Sequence, residues 1–131
     1  MNKNFLNRSI AVACGFVLAL SGISAAYAGG KLTDYNTTVS KFNGSGYSGY
    51  QTKSVSSKAG RLESKSVGGR YTVDARMNAA SGTGPWVRRI NDNDHRDLPN
   101  GVGAKKKTRV QFSTNLTTRV NVQVSGKWKS N

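Results

Sequence analysis

The run AKKKTR (104–109) sets Lys105, Lys106 and Lys107 in succession, with Arg109 two residues on. Three consecutive lysines cannot share one side of an extended chain, so they act through summed potential rather than as individual pairs. Arg119, Lys127 and Lys129 follow toward the C-terminus. The chemistry these residues offer is anion binding, with ammonium and guanidinium donors directed at phosphate or carboxylate oxygens. GYSGY (46–50) adds Tyr47 and Tyr50 in a glycine-flanked segment, as candidate ligand contacts. Rings of this kind stack on sugars or lie at a lipid interface.

No catalytic set accompanies them. His95 is the only histidine, Glu63 the only glutamate and Cys14 the only cysteine. A nucleophile turn of the G-x-S-x-G type does not occur, and no spacing supports the paired carboxylates of a glycosidase. NDNDHRD (91–97) has the oxygens for a cation but not the calcium-loop pattern. Counted from Asp92, the sixth position is Asp97 rather than Gly, and the twelfth is Gly103 rather than Glu. It reads as an acidic loop paired with nearby arginines. Neither enzyme activity nor a metal or cofactor is expected.

These residues must be positioned by strands. Helical spacing is nearly absent, while Gly, Ser, Thr, Asn and Val dominate. RYTVDARMN (70–78) alternates cleanly, with Tyr71, Val73, Ala75 and Met77 on one face. TRVNVQVSGKW (118–128) places Val120, Val122, Val124 and Trp128 on one parity and Arg119 and Lys127 on the other. Val110 and Phe112 face inward in TRVQFSTN (108–115), and Trp86 and Ile90 share a face of WVRRI (86–90). VSKF (39–42) reads as part of an edge strand, YSGYQTKSV (47–55) as a bent or bulged strand, and GRLESKSV (60–67) as a polar, exposed one. Turns at 68–69 and 115–117 predict two hairpins, 60–67 with 70–77 and 108–115 with 118–128. Residues 91–107 read as a long turn-rich loop. The sum is an all-β domain, a small antiparallel sandwich or barrel of about six or seven strands.

Residues 1–28 read as a secretory signal peptide: Lys3 and Arg8, an apolar stretch from Ile10 to about Ile23, then AYA before a cut after Ala28. The expected product is a single secreted domain, 29–131, without cysteine and held by packing alone. Cleavage removes two of the 20 Lys and Arg residues and none of the six acids, so a chain of net charge +14 stays strongly basic. That imbalance predicts an anionic cell-wall polymer or membrane surface as partner, and export makes nucleic acid unexpected. The competing expectation is a structural, matrix-type or inhibitor protein whose charge serves solubility.

VNVQVSGKWKSN, GYSGYQTKSV and GPWVRRI together resemble a group of small secreted, cysteine-free β proteins of Gram-positive bacteria. The general type is also similar to the lactococcin-972-like bacteriocins, which are exported β-sandwiches acting at the envelope. The resemblance implies a cationic, bacteriocin-like antagonist that binds the cell envelope.

Overall fold

A computed structural model describes residues 27, 28 and 30–131. The signal-peptide reading therefore falls almost wholly outside the described residues. The chain forms two sheets facing each other as a β-sandwich, with no helix among the described residues. The smaller sheet has the order β2 (Thr33–Val39), β11 (Val122–Lys129), β5 (Gly60–Val67), β9 (Asp94–Leu98), and every pairing is antiparallel. The larger is centred on β10 (Lys107–Ser113) and β6 (Val73–Ala79). β3 (Ser45–Tyr47) and β4 (Gln51–Thr52) follow one another along β10, and β7 (Gly82–Thr83) and β8 (Val87–Ile90) pair with β6. β1 (Tyr27–Ala28) runs parallel to β4. Seven of these strands have four or more residues.

Alternation explains most of the core. Val73, Ala75 and Met77 of β6, Val110 and Phe112 of β10, and Val122, Val124 and Trp128 of β11 are all buried. Tyr35 of the smaller sheet meets Phe112 of the larger, with ring centroids 4.9 Å apart. Burying each such large apolar side chain stabilises the fold by about 1.5–3 kcal/mol.

Several expectations are corrected. Neither predicted hairpin forms: β5 and β6 lie in different sheets, as do β10 and β11. A turn with inward-facing residues on both sides serves a change of sheet as well as it serves a hairpin, and parity cannot distinguish them. GRLESKSV is not an exposed strand. It sits between β11 and β9, with Leu62, Ser64 and Val67 buried. The strand at the chain start lies at 33–39 rather than 39–42, and the supposed loop 91–107 contains β9. Val120 precedes β11 and is 45% exposed, and Tyr71 precedes β6 and is 38% exposed, so neither joins the core. Arg89, at φ 57°, breaks the alternation of β8 and takes Trp86 out of phase with buried Ile90.

A bulge at Ser125/Gly126 lets Tyr35 lie beneath β11. A Cβ at Gly126 would collide with the Glu63 carbonyl and lie 2.8 Å from the Tyr35 hydroxyl. That hydroxyl is buried and makes no hydrogen bond of good geometry; burial pushes the phenol from its ordinary 10 up to about 12, against a smaller opposing effect of the neighbouring Ser64 hydroxyl. The folded-state value is raised, so the associated stability is fully present below pH 10 and is lost as pH climbs through 12. Tyr35→Phe should therefore gain about 1 kcal/mol at neutral pH, by removing an unsatisfied hydroxyl. Its advantage should widen with pH over that alkaline window. Paired urea titrations from pH 7 to 12 read both effects; an unchanged gap between the two proteins contradicts the burial of an unpaired phenol.

Candidate functional site

The outer face of the larger sheet gathers aromatic rings and guanidinium groups. β3 places Tyr47 opposite Gln111 of β10. The chain then leaves the strand through residues 48–50 and rejoins β10 as β4, opposite Thr108 and Lys107. Ser48 holds this excursion on Val110, its N–H donating to the Val110 carbonyl at 3.0 Å and its Oγ accepting the Val110 N–H at 2.8 Å. The interruption resets the side-chain alternation. Tyr47 and Tyr50, on opposite parities in sequence, both reach Arg109. The Arg109 guanidinium carbon lies 3.9 Å from the Tyr47 ring centroid and 4.9 Å from that of Tyr50.

The arrangement repeats on β6. Arg76, opposite Gln111, has its guanidinium carbon 4.2 Å from the centre of the Trp86 ring. Amides hold both arginines: Arg109 Nε donates to Asn78 Oδ1 at 3.2 Å, and Arg76 Nε to Gln111 Oε1 at 2.9 Å. Gln111 is itself fixed by Ser45 Oγ, which accepts from its Nε2 at 3.2 Å, and by Asn78 Nδ2 at 3.3 Å. Among the described residues, neither Arg76 nor Arg109 forms an ion pair with a carboxylate. Stacking on a ring orients the planar fork, and the anchored Nε leaves the Nη groups to receive an oxyanion. Asp74, on the same face, is neutralised by Arg88 at 2.7 Å and also accepts the Arg89 N–H.

The predicted cations divide among separate surfaces. Lys107 shares the outward parity of Arg109 on β10. Lys105 and Lys106 lie in the preceding turn, where backbone bonds join Lys53 N–H to the Lys106 carbonyl and Lys105 N–H to the Lys53 carbonyl. Lys105, Lys106 and Lys107 are all exposed. Lys127 and Lys129 belong to the smaller sheet, where Lys127 pairs with Asp34 at 2.8 Å. Arg119 follows the far end of β10, about 20 Å from Lys107 at strand rise. Arg119 and the lysine run therefore do not make one patch. Arg76, Trp86, Asn78 and Gln111 were not among the expected site residues. Their signal was the wet parity of 70–78, with Arg76 and Asn78 on it, but parity alone cannot say which strand lies alongside.

The smaller sheet carries an open groove of about 580 Å³, bordered by Asp34, Glu63, His95 and Lys127. Lys127 pairs there with Asp34, and Glu63 with Arg61 at 3.2 Å, while Lys65, also on its border, is exposed and forms no ion pair among the described residues. Two of the three carboxylates of 91–97 have partners, and Asp97 is exposed. Asp92 accepts the Val67 N–H, and Asp94 pairs with Arg96 at 3.1 Å. Burial raises the Asp94 carboxyl, but hydrogen bonds from Arg96, Asn91 and His95 outweigh it and hold the group below its ordinary value. Cations that are both without a carboxylate partner among the described residues and held in place by ring stacking and Nε bonds sit on the larger sheet.

No protein-family model, curated protein or solved structure matches the chain.

Proposed function

We propose that this is a secreted, non-catalytic β-sandwich that binds an anionic cell-envelope polymer and acts as a bacteriocin-like antagonist. One observation carries the reading: Arg76 and Arg109 are stacked on Trp86, Tyr47 and Tyr50, anchored through Nε, and without a carboxylate partner among the described residues. A fork with no internal anion is matched to an external carboxylate or phosphate. The partly exposed tyrosine rings offer apolar faces to the sugar units between the charges. Lys105, Lys106 and Lys107 add a diffuse field that speeds encounter with a polyanion and is screened beyond about 8 Å at physiological salt.

Retention on isolated cell walls separates these roles. The double variant Arg76→Gln/Arg109→Gln should lose at least roughly a hundredfold in affinity, since hydrogen bonds to charged groups contribute about 1.5–3 kcal/mol each. Neutralising Lys105, Lys106 and Lys107 to Gln should give a smaller loss and a flatter salt dependence, with an unchanged melting temperature. Equal losses in both variants would reduce recognition to net charge. Growth inhibition that survives in a variant unable to bind walls would overturn the link between binding and antagonism.

A further inference from the structure

The end of the sandwich farthest from the lysine run carries a second surface. Two turns meet there, 40–44 after β2 and 114–121 between β10 and β11. Phe42 N–H donates to the Thr118 carbonyl at 2.8 Å, Asn43 N–H to the Asn115 carbonyl at 3.0 Å, and Lys41 N–H to Asn121 Oδ1 at 3.0 Å. Across this joined tip Phe42 is 54% exposed, Leu116 73% and Val120 45%. Phe42 and Asn43 are held at φ 57° and 60°. Left-handed backbone is unfavourable for a bulky residue such as phenylalanine and persists only where its surroundings enforce it. Here the bonds to 115 and 118 enforce it, and the ring remains at the surface.

The charges beside these apolar side chains are all positive. Lys41 Nζ lies 5.7 Å from the Phe42 ring centroid, and Arg119 directly precedes Val120. Neither turn contains an Asp or Glu. The turn 68–72 is tied to the start of β11 by the bond from Gly68 N–H to the Gln123 carbonyl, at 2.8 Å, and adds Arg70 and Tyr71. The acids nearest this end are engaged, Asp92 by the Val67 N–H and Asp74 by Arg88. Apolar tips within a ring of cations match a bilayer whose headgroups are negative and whose acyl chains lie just beneath.

We infer that this end is a membrane-docking tip, with Phe42, Leu116 and Val120 entering the interface of an anionic bilayer while Lys41, Arg70 and Arg119 engage its headgroups. Insertion distinguishes a lipid surface from a soluble polyanion, which would engage the cations and leave the apolar side chains in water. The inference rests on a different surface from the wall-binding sheet and stands independently of it.

Two single-tryptophan additions test it: Leu116→Trp at the tip, and Val55→Trp at the opposite end, where Val55 is 51% exposed. Each protein is mixed with vesicles of phosphatidylglycerol and brominated phosphatidylcholine. The expected result is bromine quenching and a blue shift for Leu116→Trp but not for Val55→Trp, and neither effect without the anionic lipid. Phe42→Ser/Leu116→Ser should weaken partitioning at least about tenfold. Arg76→Gln/Arg109→Gln, introduced beside Leu116→Trp, should leave the quenching in place. Equal quenching at both positions, or none at Leu116→Trp, overturns the inference. So does a dimer in solution that dissociates in the Phe42→Ser/Leu116→Ser variant, because the tip would then be covered by a second copy of the chain.

Discussion

Val122→Asp should leave no folded domain at neutral pH. Val122 is 1% exposed, and β11, which it begins, lies between β2 and β5 at the centre of the smaller sheet. Its side chain belongs to the continuous apolar core between the sheets. An aspartate there would carry an unpaired charge into an apolar site, or take up a proton and remain without a partner. Either outcome costs several kcal/mol, against a total stability of about 5–15 kcal/mol for an ordinary domain. Gln123 is the control. One residue along, it is exposed, bonded to Thr38 Oγ1 at 2.7 Å and to Asn36. Gln123→Glu should cost no more than about 1 kcal/mol. Circular dichroism in urea compares the two, and equal damage from both would mean that β11 is not inward on one face and wet on the other.

The second large effect lies where the two sheets are joined by polar groups. Gln51 is completely buried on β4 of the larger sheet. Its Nε2, with two hydrogens, is shared among three acceptors, Thr33 Oγ1 at 2.7 Å and the Trp128 and Lys31 carbonyls, each at 3.1 Å. Its Oε1 accepts the Ser130 N–H at 2.8 Å. Lys53, also buried, adds bonds from Nζ to the Ser130 carbonyl at 2.7 Å and to that of Lys58. Burial, reinforced by the charge of Lys58, lowers the Lys53 amine below its ordinary value. A sandwich without cysteine in 29–131 is thus closed at this end by a hydrogen-bonded staple. Gln51→Leu keeps the approximate volume but strands the Ser130 N–H and leaves the Trp128 carbonyl with only the long 3.5 Å bond from Thr33 Oγ1. Each unsatisfied buried group costs about 1–3 kcal/mol, so a loss of about 2 kcal/mol or more is expected in urea, with an unchanged denaturant slope. A loss below 1 kcal/mol would mean that apolar packing alone holds this end.

The all-β class and much of the core were legible because period-2 alternation reports directly on a face that is buried. Val73, Met77, Val110, Phe112, Val122 and Trp128 all stand where their parity put them. Pairing was not legible. Parity gives a strand's two faces and says nothing of its neighbours, so both predicted hairpins became crossovers between sheets. β9 was hidden because DHRDL has one apolar residue in five and looks like a loop. Interruptions also defeat parity: the excursion at 48–50 placed Tyr47 and Tyr50 on one face, and Arg89 displaced Trp86 from Ile90. For the candidate site, Tyr47, Tyr50 and Arg109 were recognised singly, as rings and as charge. That they stack together depends on β3 and β4 flanking β10, which no local pattern encodes.

The most direct measurement of the central claim is a nitrogen-15 spectrum of the arginine side chains during titration with soluble, carboxylate- or phosphate-bearing cell-wall fragments. Resonances of Arg76 and Arg109 should shift together and saturate, while those of Arg61 and Arg96, already paired with Glu63 and Asp94, stay in place. A neutral glycan of similar length should move none of them. Uniform small shifts across all arginines, or saturating shifts confined to residues outside the larger sheet's outer face, would contradict the claim that this face recognises the polymer.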